Sequence, residues 1–200
     1  MTRNLFEIVE GQVLDDNKNT NYLVKKANKK MRMLHIASKF TRNREHLKQI
    51  YKTFVRCNLE FSSNVWHSSL TKENREDLER VQKAALKVIL RKDYLNYEDA
   101  LKLTNLQSLD ERREAMSLRF AKNCLNNQNF SKLFPHNSQK HVMKVRNPLR
   151  YRVNKANTER YKCSTIPYMQ RLLNDDNNKR KRDMNDLDVE LNKAKRMKCK

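Results

Sequence analysis

Glycine is nearly missing from this chain of 200 residues. Gly11 is the only one, and there are just three prolines. A P-loop, a dinucleotide fingerprint and a nucleophile elbow each need two or more glycines, where backbone meets phosphate or turns sharply, so all three are excluded. So little glycine and proline also argues against a turn-rich β fold, and long helices become the default expectation. The four cysteines, Cys57, Cys124, Cys163 and Cys199, lie far apart with no CxxC. Zinc ribbons and dithiol redox pairs are therefore unsupported, and reduced thiols in a nuclear or cytosolic protein are expected. His136 and His141 lack HxxxH or HExxH spacing, and no metal or other cofactor is expected. No apolar run of about 18 residues occurs, so no membrane span is expected. The first twenty residues hold four acids and do not read as a signal peptide.

Positive charge is what the chain has in excess. Lysine and arginine number 44 against 23 acids, for a net charge of +21. That balance favours a polyanionic partner: DNA, RNA or an anionic membrane surface. The charge is uneven, at −2 over 1–19, +12 over 20–134, +8 over 135–174 and +3 over 175–200. Leu, Ile, Val and Phe supply 30 of 115 residues in 20–134 but only 10 of 66 beyond it. The core is therefore expected in 20–134, followed by a basic arm, 135–174, and a disordered basic tail, 175–200.

Within 20–134 the apolar period is helical. Leu23, Ala27, Met31 and Leu34 share one face, with Thr20 as the expected cap. Leu47, Ile50, Tyr51, Phe54 and Val55 recur at i, i+3, i+4, i+7 and i+8, the stripe of a buried helix face over 43–60. Thr71 is placed to cap a third helix, 71–92, with Glu73, Glu76 and Asp77 near its start and Lys87, Arg91 and Lys92 near its end, as the helix dipole favours. Asn96 precedes a short helix holding Ala100 and Leu101, and Ser108 with Glu111 forms a capping box for a last one. Trp66, between the second and third helices, reads as a core anchor. The expected fold is mainly α: a small bundle of about five helices, with a short N-terminal hairpin around Gly11 in 1–19, an extended arm and a disordered tail.

The stretch "LEFSSNVWHSSLTKENREDLERVQKAALKVIL", residues 59–90, resembles the C-terminal region of reverse transcriptases from non-LTR, jockey-like retrotransposons. The resemblance is carried by Leu59, Glu60, Phe61, Trp66, Leu70, Thr71, Leu78, Glu79, Gln82, Lys83, Leu86 and, one place late, Ile89. "YEDALKLTNLQSLDERREA", 97–115, and "TERYKCSTIPYMQRLLN", 158–174, continue it in order, so that it covers roughly residues 5–174. In that family the part after the palm is a helical thumb that grips template and primer backbone. The family's metal-binding pair is Tyr/Phe-x-Asp-Asp on a palm hairpin. Here "GQVLDD" offers Asp15 and Asp16, with Val13 where the aromatic belongs and only 12 residues before it. Two-metal phosphoryl transfer needs carboxylates converging from several strands. The resemblance thus implies a catalytically inactive fragment, with Asp15 and Asp16 in a solvated turn.

Two basic stretches are the candidate nucleic-acid contacts. Lys25, Lys26, Lys29, Lys30 and Arg32 line the polar face of the first helix, suited to phosphates and equally to a plain solvated face. In the arm, Arg146, Arg150, Arg152, Lys155, Arg160 and Lys162 interleave with Tyr151 and Tyr161. Tyrosines there either stack on unpaired bases or pack on the helical core. In the tail, Lys179, Arg180, Lys181 and Arg182, then Lys193, Lys195 and Arg196, have the spacing of a bipartite nuclear import signal read by an import receptor. The expected function is sequence-tolerant RNA or DNA binding in the nucleus. A helical protein-interaction module and a transposon remnant without selected function are the alternatives. The sequence sets no oligomeric state.

Overall fold

The computed structural model describes residues 16–137 and 149–179. The expected hairpin, Asp15, Arg146 and the tail from Arg180 onward lie outside the described residues. Helix α1 spans Asp16–Phe40. Leu23, Ala27, Met31 and Leu34 are all buried along one face, as their spacing predicts. Thr20 is not a cap. The helix begins four residues earlier, and Thr20 continues the inward stripe, 1% exposed. Asp16, expected in a turn, is the first residue of α1.

Helix α2 is one unbroken run, Arg44–Glu60, whose middle, Tyr51–Arg56, winds as a π-helix between α-helical ends. Asn43 caps it, its Oδ1 accepting from the N–H groups of Glu45 at 2.9 Å and His46 at 3.4 Å. A π turn closes i→i+5 and holds more residues than an α turn. Leu47, Tyr51, Val55 and Leu59 can then stay in line at a strict spacing of four, and all are fully buried. The same unwinding turns Phe54 outward, 42% exposed, where a plain α stripe predicts it buried.

After α3 (Ser63–Trp66) comes α4 (Lys72–Leu90), which packs on α1. Thr71 caps α4, its Oγ1 accepting from Asn74 N–H at 3.2 Å. Asn96 likewise caps α5 (Tyr97–Thr104), with its Oδ1 2.8 Å from Asp99 N. Ser108 Oγ accepts from Glu111 N–H at 3.3 Å at the start of α6 (Leu109–Asn126). With glycine absent here, helix ends fall to other residues. Arg91 and Asn105 close α4 and α5 with positive φ, 53° and 50°, and Asn105 alone is in the left-handed helical region that Asn tolerates best among residues with a Cβ.

The core joining α2, α4, α5 and α6 is threaded by a polar chain. Tyr51 Oη donates to Gln82 Oε1 at 2.5 Å. Gln82 Nε2 donates to Tyr97 Oη at 3.0 Å and to the Gln107 carbonyl at 2.9 Å. Tyr97 donates in turn to Glu79, whose other oxygen accepts the Asp110 N–H at 2.8 Å. Arg75 clasps both Asp110 oxygens at 3.0 and 3.1 Å. Burial without ionisation suits both phenols, and their pKa values are pushed well above the usual range. Trp66 is a core anchor, its indole N–H donating to the Phe61 carbonyl at 2.9 Å.

The chain divides into two compact units between Ser117 and Leu118, inside α6. The second unit has its own core of Ala121, Cys124, Phe134, Tyr151, Met169 and Leu173. After α7 (Gln128–Ser131), residues 149–157 carry no regular element beyond an isolated bridge from Tyr151 to His136. The arm beyond residue 157 does not stay irregular. It forms α8 (Glu159–Lys162) and α9 (165–179), because Met169 and Leu173, four apart, have a core to enter.

Candidate nucleic-acid interface

Helix α1 carries seven basic residues and one acid, Asp16, at its very start. Its inward stripe fixes which of these face out. Leu23, Ala27 and Leu34 are spent on the core, so Lys25, Lys29 and Arg32, at i, i+4 and i+7 on the opposite side, point to solvent. Lys26 and Lys30 flank them and are exposed as well. Tyr22, Lys25, Lys26, Asn28, Lys29 and Arg32 line an open concavity along this face. Lys26 Nζ stands 5.8 Å from the Tyr22 ring centroid. Of the five residues expected on this face, the concavity gathers Lys25, Lys26, Lys29 and Arg32, leaves exposed Lys30 outside its lining, and adds Tyr22. The sequence signal for Tyr22 was its place three residues before Lys25 and seven before Lys29.

In the second unit Arg150, Arg152, Lys155, Arg160 and Lys162 are exposed. Lys162 is partly neutralised, with its Nζ 2.9 Å from Glu159. The two tyrosines part company. Tyr161 is 43% exposed, with its hydroxyl accepting from Asn154 at 3.3 Å. Tyr151 is 5% exposed, so the expected stacking platform is corrected to a packing residue. Asn174 holds its backbone from both sides: Oδ1 accepts Tyr151 N–H at 2.9 Å and Nδ2 donates to Tyr151 O at 3.0 Å. The ring lies 5.0 Å from that of His136 and under the Arg150 guanidinium at 5.7 Å. Lys179, at the end of α9, is exposed; the other residues of the expected import signal lie outside the described residues.

Another charged group sits inside the first unit, and no sequence pattern signalled it. Arg113 is fully buried, 5.7 Å over the Trp66 ring and 3.8 Å from Asp110. Burial lowers its pKa. His67 is buried beside it, and burial, together with the charge of Arg113, lowers the imidazole to about 4. Among the described residues no group of three or more His, Cys, Asp and Glu is placed to hold a metal ion. No helix among them is long and apolar enough to cross a membrane.

No family model matches the chain, and neither a curated protein nor a solved structure matches it.

Proposed function

We propose that this chain is a catalytically inactive relative of the region that follows the palm in non-LTR retrotransposon reverse transcriptases, and that it binds RNA or DNA through backbone phosphates. One observation carries the reading. Lys25, Lys29 and Arg32 stand exposed on the side of α1 opposite its buried stripe, with Lys26 and Lys30 exposed on their flank and no acid among the five. Lysine and arginine so placed bind polyanions by releasing condensed counterions, without regard to sequence. Arg150, Arg152, Lys155 and Arg160 extend the same chemistry to the second unit. The same reading takes the protein to the nucleus through Lys179–Arg182 and Lys193–Arg196.

Titration of the purified chain against single-stranded RNA, single-stranded DNA and duplex, at about 50 and 200 mM salt, tests the reading. Binding should weaken by about one log of affinity per log of salt for each phosphate neutralised. Replacing Lys25, Lys29 and Arg32 by alanine should flatten that slope by two to three units, at about one per contact. Salt-insensitive binding, or a slope unmoved by the triple replacement, sinks the proposal. A protein-interaction module is the second reading, favoured by Met33, Ile36 and Phe40, which stand exposed on α1. Association through those side chains would survive added salt.

A further inference from the structure

Phosphate contacts account for the lysines of α1 but not for the apolar groups beside them. Tyr22 is 60% exposed inside the basic concavity, and Phe40, at the end of the helix, is 86% exposed. Met33 and Ile36 stand between, 42% and 48% exposed. Tyr22, Lys25, Lys29, Arg32, Ile36 and Phe40 follow one another at steps of three and four, along one line of the helix. Their Cα atoms span about 27 Å at 1.5 Å per residue.

Resting on the phosphate-binding reading above, we propose that this line takes single-stranded nucleic acid, with phosphates on Lys25, Lys29 and Arg32 and unpaired bases on Tyr22 and Phe40. A duplex presents phosphates to a convex helix face but keeps its bases stacked inside, so it leaves both rings in water. A single strand turns its bases out, and every base has a face that an aromatic ring can cover. The Lys26 ammonium near the Tyr22 ring adds a charge where the backbone would pass. Other occupants fit less well. A second copy would set seven basic residues against seven. A bilayer needs a broad apolar face that sinks into the interface. The broad face of α1, with Leu23, Ala27, Met31 and Leu34, is already in the core.

The test uses the full chain and labelled oligonucleotides of about 12 nucleotides, single-stranded and duplex, by fluorescence polarisation. Tyr22→Ala and Phe40→Ala remove exposed rings, so helix content by circular dichroism should not change. Each should weaken single-strand binding about fivefold or more, leave duplex binding within twofold, and leave the salt slope alone. The Lys25, Lys29 and Arg32 triple replacement should flatten the slope on both. If the ring variants bind single strands like wild type while the triple variant does not, the single-strand inference falls and the phosphate reading stands. If the triple variant also binds like wild type, both fall. Tighter binding to anionic phospholipid vesicles than to oligonucleotides, lost in Phe40→Ala, would overturn the inference in favour of a membrane.

Discussion

Gln82 sits in the middle of an apolar stripe, four residues after Leu78 and four before Leu86, yet it is 1% exposed. It is tolerated there because both ends of its amide are occupied by Tyr51, Tyr97 and the Gln107 carbonyl. Gln82→Leu keeps the volume but leaves these groups short of partners in a dry core. It should cost about 1–3 kcal/mol, seen as a lowered urea midpoint at unchanged m. Lys83→Ala next door, on the exposed side, should stay within about 0.5 kcal/mol. A Gln82→Leu variant as stable as wild type would show that the chain of hydrogen bonds contributes little. His67 gives the pH dependence. Its folded pKa, about 4, lies below the ordinary 6.5, because burial and Arg113 oppose the charged form against the pull of Asp110, with Arg75 adding to the repulsion. The unfolded chain therefore binds the proton first, and stability falls as pH drops from 6.5 towards 4. The loss is on the order of 3 kcal/mol across that window. Urea melts at pH 7 and pH 5 should show it, and a His67→Asn variant should lack that part of the slope.

At the scale of elements, the π segment makes the sharpest prediction. Deleting Thr53, which is exposed, leaves Leu47, Tyr51, Val55 and Leu59 at i, i+4, i+7 and i+11, the stripe of an ordinary α-helix. Urea melts of this variant should keep a midpoint near that of wild type. Deleting exposed Lys83 from α4 instead rotates Ala85, Leu86 and Ile89 by about 100° out of the core. That should cost roughly 3 kcal/mol or more. Equal damage from the two deletions would count against the π winding. What was legible in the sequence follows the same logic. The caps at Thr71, Asn96 and Ser108 were readable because each side chain serves an amide three residues away. The core stripes of α1 and α4 were readable from period alone. Phe54 was misplaced because i, i+3, i+4, i+7 and i+8 fits an α-helix as well as it fits the residues, and the choice is made by partners distant in sequence, such as Gln82. Helix α9 was hidden by composition, since a segment rich in arginine reads as an arm until Met169, Leu173 and the Asn174 brace on Tyr151 are seen together. Of the proposed binding face, the lysines could be read. The spacing of Tyr22 and Phe40 puts them on the same face, but large aromatic residues count towards a core until the structure shows them 60% and 86% exposed.

Across the whole molecule, a net charge of +21 works against compaction. Surface pairs such as Lys72 with Glu76 and Arg80 with Asp77 contribute little against it. The fold is held by apolar burial in two separate cores, with the described basic residues outside them except Arg113. The division between those cores falls inside α6, which gives Arg113 and Ser117 to the first unit and Ala121 and Cys124 to the second. The molecule therefore has no clean place to be cut. A fragment ending at Ser117 keeps only the first nine residues of an 18-residue helix and frays where Arg113 is buried. One ending at Asn126 keeps the helix but carries Ala121 and Cys124 bare into water. Any attempt to express the first unit on its own must spoil one core or expose the other, because a single helix serves both centres.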